Sequence, residues 1–157
     1  TGAAVAASAR MRGSWAVMVR CPAPVALAWD GAFINTGPLR WVARDSSKPG
    51  RTAPAGTETW LLHASPEWSE AHIEDSADAV TGTLLAAFAA LGGPAAHLVQ
   101  ATAHRWRYAD TEPALTQGHW WDATACVGMC GDWLNGGKVE GAWLSGQSLA
   151  QQVLQAR

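Results

Sequence analysis

The sequence predicts an α+β fold: an antiparallel or mixed sheet backed by helices, followed by a strand, a glycine-rich turn and a long closing helix. Three observations lead there. Short apolar, strand-like stretches recur three times before residue 65. Apolar residues then repeat at helical spacing from Ser76 to Leu91, and again after Val139, directly behind a run of glycines. The 157 residues suffice for one domain, or for one and a half sharing a core.

Each element has its own signal. Ser14–Arg20, "SWAVMVR", is an apolar run stopped by the prolines of "CPAP", and reads as a buried strand. "GAFIN" and "LRWVAR" flank Thr36-Gly37-Pro38 and read as a hairpin, with Leu39, Trp41 and Ala43 on one face and Arg40, Val42 and Arg44 on the other. The polar, Pro- and Gly-rich 45–57 is a loop, and "ETWLLHA" returns as a third strand with Trp60 and Leu62 opposed to Leu61 and His63. Ser65-Pro66-Glu67 starts a helix with a capping hydroxyl, a first-turn proline and an acid against the dipole. A second helix starts at Ser76, lines up Val80, Leu84, Phe88 and Leu91, and ends at Gly92-Gly93-Pro94. His97–Ala109 is a long alternating strand, "TEPALTQGHWWDAT" is irregular, and "ACVGMCG" is a short strand. The last helix places Val139, Ala142, Trp143, Gly146, Leu149, Ala150, Val153 and Leu154 on one face, which is expected to pack. The parts are thus 1–13, a frayed or helical start; 14–109, sheet and helices; and 110–157, the closing segment.

Composition excludes several classes. Charged residues make up only 15% of the chain, against about a quarter in an average soluble protein, so part of the surface is expected to be covered by something. A net charge of −2 gives no basic footprint for nucleic acid. No apolar run approaches the roughly 20 residues of a membrane span. Cys21, Cys126 and Cys130 make no disulfide framework and have no zinc spacing. They are expected to be buried thiols in the cytoplasm. No histidine has ligand spacing, and no metal is assigned. The first residue is Thr1 and no signal-peptide pattern follows, so the chain is read as a piece cut from something longer.

Gly128–Gly146, "GMCGDWLNGGKVEGAWLSG", holds six glycines. A helix start offers backbone N–H groups without intrahelical partners and about half a positive charge. Glycine lets a ligand approach such groups closely; the alternative is a tight loop holding no ligand. The particular residues favour the ligand, through a resemblance they carry. Gly131-Asp132, Gly136-Gly137, Val139-Glu140-Gly141-Ala142 and Ser145-Gly146 resemble the C-terminal flavin-contacting motif of the flavin monoamine oxidase superfamily, and most nearly its renalase-like FAD-dependent oxidoreductases. "WAVMV", "GPLRWVARDSSKPGR", "ETWLLHASPEWS" and "HRWRYA" resemble substrate-domain segments of the same group, in the same order, so the resemblance covers nearly everything after Ser14.

The resemblance implies that 14–109 is a substrate-domain portion and 110–157 the closing piece of an FAD-binding domain. It implies that Gly131 and Asp132 meet the ribityl-pyrophosphate part of FAD, and that Val139, Glu140, Gly141 and Ala142 aim the helix start at the N1–C2=O edge of the flavin ring. For Glu140 the alternative is an acid that steadies the dipole. His63 is the catalytic candidate beside the substrate, or else an ordinary exposed or satisfied histidine. Arg44, Lys48 and Arg51 are candidates for a phosphate-bearing small-molecule substrate, or else a solvated loop. Trp120, with Trp121, is a ligand-facing candidate, whereas Trp143 is expected in the core.

The family's activity is hydride transfer from a dihydronicotinamide-type substrate or an amine to FAD, then to oxygen. The dinucleotide fingerprint G-x-G-x-x-G that opens such enzymes is absent from this sequence. The chain is therefore expected to be the second half of an oxidase, inactive and binding FAD weakly or not at all on its own, with an apolar face open to self-association. Two rival classes stand beside this reading: a binding module without a reaction, and an interaction domain that meets a partner through an apolar helix face.

Overall fold

The computed structural model describes residues 1–156, and its main sheet has five antiparallel strands. These are β1 (Met11–Cys21), β2 (Gly31–Phe33), β3 (Leu39–Arg44), β4 (Glu58–Ala64) and β5 (Gln100–Thr111), in spatial order β2-β3-β4-β1-β5. A small helix, α1 (Gly2–Ser8), precedes them. α2 (Pro66–Ala71) and α3 (Ala77–Ala90) follow β4, and β6 (Trp120–Asp122), β7 (Val127–Met129) and α4 (Val139–Gln155) complete the chain. The α+β class read from the sequence is the one observed. The described chain divides into two units: Gly13–Arg107, and Thr1–Arg12 together with the segment from Tyr108 onward.

In the first unit one face of the sheet carries the core. Trp15, Val17, Val19 and Cys21 of β1 and Trp60 and Leu62 of β4 pack with Val80, Leu84 and Phe88 of α3. The caps form as their residues dictate: Ser65 Oγ accepts from the Trp68 N–H and Ser76 Oγ from the Ala79 N–H, both at 3.2 Å. β4 alternates strictly, with Glu58, Trp60, Leu62 and Ala64 buried and Thr59, Leu61 and His63 on the opposite face. In β5, Ala101 and Ala103 pack on the core while Gln100 and Thr102 face outward.

The hairpin reading needs one correction. Leu39 pairs with Ala64 but Trp41 pairs with His63, so the register shifts between them. The shift puts Leu39 on the core face with Val42, not with Trp41 as simple alternation predicts. Arg44, opposite Trp60, lies on that core face too.

In the second unit, the stretch read as irregular contains β6, which pairs with β7 as an antiparallel ribbon. The three-residue strand is too short to announce itself by periodicity. Leu134 is fully buried, and Leu115 and Gly118 donate their N–H groups to the carbonyls of Trp133 and Leu134.

The packed face of α4 also differs from expectation. Its buried residues are Gly141 and Ser145. Trp143, expected in the core, is 65% exposed, and Val139 and Leu154 on the same stripe are 90% and 67% exposed. The reason is steric. A Cβ on Gly141 would run into the Asn135 carbonyl oxygen, so the helix approaches its neighbours through its small residues. Ser145 Oγ then accepts the Gly131 N–H at 2.9 Å and donates to the Gly118 carbonyl. One buried hydroxyl thus satisfies two backbone groups where the helix closes on its neighbours.

The cysteine reading is corrected as well. Cys21 is buried, and burial with the charge of Glu58 raises its thiol pKa, but Cys126 and Cys130 are exposed. No helix among the described residues is long and apolar enough to cross a membrane.

Candidate functional site

The residues singled out by sequence fall into two groups, one in each unit. In the first, a hollow of about 590 Å³ lies on the sheet face turned away from the core. Met18 and Arg20 of β1, Thr59 and Leu61 of β4, and Gln100 and Thr102 of β5 line it, and Asp45, Arg51 and Thr52 of the loop after β3 form its wall. The loop is pinned there by the Thr59 N–H, which donates to Ser46 Oγ at 3.3 Å. Asp45 gathers the two expected loop cations, Lys48 at 2.9 Å and Arg51 at 3.8 Å.

His63 stands on this same face, two residues along β4 from Leu61 and opposite Ala16 and Trp41. Burial, and then the positive charge of Lys48, lower its pKa below the ordinary 6.5. The unfolded chain therefore takes up the proton first as pH falls. Stability is expected to drop as pH goes below about 6.5, with the drop ending once the folded histidine itself titrates. Urea unfolding at several pH values should show a flatter acid slope in His63→Gln; an unchanged slope would mean that His63 titrates normally.

Arg44 does not belong to the hollow. Its guanidinium reaches Glu58 at 2.9 Å, Asp30 at 3.0 Å and the Leu27 carbonyl at 2.8 Å, and lies 4.8 Å from the centre of the Trp60 ring. Every one of these partners is in the fold, so Arg44 is removed from the substrate-binding candidates. The signal was available in hindsight: Glu58 alternates with Trp60 and Leu62, and a carboxylate at a core position demands a cation.

In the second unit α4 begins at Val139. Gly136 and Gly137 have φ of +84° and +70°, which glycine adopts at no steric cost. Lys138, in the cap position, provides no side-chain bond to the first turn. Val139 and Glu140 are exposed, and among the described residues nothing caps their N–H groups. Asp132, half-buried ahead of the helix, uses its backbone carbonyl to accept the Asn135 and Gly137 N–H groups at 2.8 Å, while its carboxylate takes no hydrogen bond among the described residues. The glycines divide by role. Gly128 makes room for Leu149, Gly131 for Trp133 and Gly141 for Asn135, so these three serve packing, whereas Gly136 and Gly146 face open space.

An FAD of the kind implied by the resemblance needs N–H donors toward an electron-rich edge and an acceptor for a hydroxyl. Val139 and Glu140 supply the first and Asp132 the second, so these residues fit. Gly141, buried against Asn135, and half-buried Ala142 set the helix position.

Trp120 lies against α1: a Cβ on Gly2 would come within 2.8 Å of its ring. The Trp121 Nε1–H is screened from solvent and finds no acceptor among the described residues. Sequence reasoning quoted Ser145 in the motif but missed its anchoring role. It also missed Arg20 altogether. No protein-family model matches the sequence.

Proposed function

We propose that the chain is the second half of a renalase-like FAD-dependent oxidoreductase, acting in the cytoplasm. One observation carries the reading: a 17-residue helix starts at Val139 with an uncapped, exposed first turn, directly behind two left-handed glycines and an open carboxylate. The order of the family-like motifs supports it. A bound FAD would supply the hydride-accepting chemistry toward a dihydronicotinamide-type or amine substrate, with oxygen as the final electron acceptor.

The chain's own residues then have simple tasks. The Val139 and Glu140 amides would offer fixed N–H dipoles to an electron-rich ring edge without reorganisation. Asp132 accepts a hydroxyl hydrogen, and the Glu140 carboxylate steadies the first turn. His63, kept neutral by burial and Lys48, presents an uncharged imidazole, and Lys48 and Arg51 attract an anionic substrate. Hydride transfer asks for little acid–base work from the protein.

The test is complementation. Mixed with a separately expressed dinucleotide-binding half, the chain should retain flavin through gel filtration as a yellow complex, and Asp132→Asn should weaken retention roughly tenfold. A colourless mixture of two folded halves would overturn the proposal.

A second reading, an interaction surface, is favoured by the exposed stripe of Val139, Trp143 and Leu154. The isolated chain should self-associate through it, and Trp143→Ser with Leu154→Ser should shift sedimentation toward the monomer without lowering Tm. Sedimentation identical to the unmodified chain would leave the stripe without that role.

A further inference from the structure

We infer that the hollow on the outer sheet face of the first unit is a binding site for a small organic anion, with Arg20 as its anchor. This rests on the hollow alone and does not depend on the flavin reading. Arg20 sits one residue before the end of β1, opposite Thr59, and lines the hollow. Its Nε is screened from solvent and has no hydrogen-bond partner, and among the described residues no carboxylate pairs with its guanidinium. The sheltered Nε carries a desolvation cost, and the side chain lines the hollow, where a ligand oxygen would meet its guanidinium. Asp45 is the one acid in the lining, and its charge is taken up by Lys48 and Arg51. The wall and floor therefore keep a net positive balance.

The remaining lining defines the ligand class. Met18 and Leu61 provide an apolar floor, while Thr59, Thr102 and Gln100 offer hydroxyl and amide groups beside it. The volume of about 590 Å³ lies within the range of small-molecule sites. The planar guanidinium suits two oxygens of a phosphate or a carboxylate at once. The chemistry selected is an apolar or aromatic body carrying one such group.

Phenyl phosphate is the probe, with benzoate, inorganic phosphate and phenol as comparisons, followed through the arginine Nε–H signals in 15N–1H spectra. The Arg20 signal, assigned by its loss in Arg20→Met, should move saturably with phenyl phosphate, and phenol should leave it in place. Benzoate moving it equally would extend the site to carboxylates; a response to phosphate esters alone would restrict it to them. Arg20→Met should bind phenyl phosphate roughly tenfold more weakly, the loss of one charge-assisted contact. Its Tm should hold or rise, because a sheltered unpaired donor has gone. Arg20→Lys, which keeps the charge but not the fork, should fall between. Unchanged affinity in folded Arg20→Met would overturn the inference. So would movement of all arginine signals together with inorganic phosphate, the mark of an adventitious ion only.

Discussion

Arg44→Ala is expected to destabilise the protein by about 3–5 kcal/mol, the cost of leaving a buried carboxylate without its cation. Glu58 is only 6% exposed as a residue, and its carboxylate accepts from the Trp60 Nε1–H, from the Val25 N–H at 3.3 Å and from Arg44 at 2.9 Å. Removing Arg44 takes away the only positive charge in that set and frees the Leu27 carbonyl as well. Glu58→Gln in the same background should recover part of the loss, because a neutral amide no longer needs a counter-charge. Equilibrium urea unfolding measures both variants against the unmodified chain. A change within about 0.5 kcal/mol, as for an ordinary surface residue, would return Arg44 to the pool of ligand-binding candidates.

Gly141→Ala should cost about 2–3 kcal/mol, whereas Gly146→Ala should gain up to about 1 kcal/mol. Both glycines lie in α4 and differ only in what surrounds them. A Cβ at 141 meets the backbone carbonyl of Asn135, which moves only if the loop moves; at 146 nothing lies within 4 Å. The same loop is held by the Asn135 Nδ2–H donating to the Gly141 carbonyl at 3.2 Å, so a displaced helix loses that bond too. Thermal unfolding of the pair reads the difference. Equal stabilisation by both alanines would show that the approach of loop and helix is looser than described.

What the sequence made legible was local. Ser65 and Ser76 announced their caps, β4 announced its two faces, and the glycine pair announced where α4 begins, because each signal lies within a few residues of its effect. What stayed hidden depended on partners far away in the chain. Leu39 changed face through a register shift that no alternation pattern records. Arg44 looked like a loop cation until Glu58 and Asp30 stood beside it. The apolar stripe of α4 predicted a packed face, but the helix closes on its neighbours through Gly141, which lies against Asn135, and Ser145, whose hydroxyl satisfies two backbone groups. For the site, the helix-start residues were readable as a run, while Arg20 carried no signal at all. A lone arginine within an apolar strand acquires meaning only when the hollow around it is seen.

The central functional claim is that the amides at the start of α4 face an electron-rich flavin edge. The most direct measurement follows the Val139 and Glu140 N–H signals in the complemented two-half protein, before and after reduction of its flavin. Both should shift markedly on reduction, more than Asp78 and Ala79 at the start of α3, which lies in the other unit. If the four signals move alike, or if Val139 and Glu140 stay in place while the flavin bleaches, the helix start does not hold the cofactor.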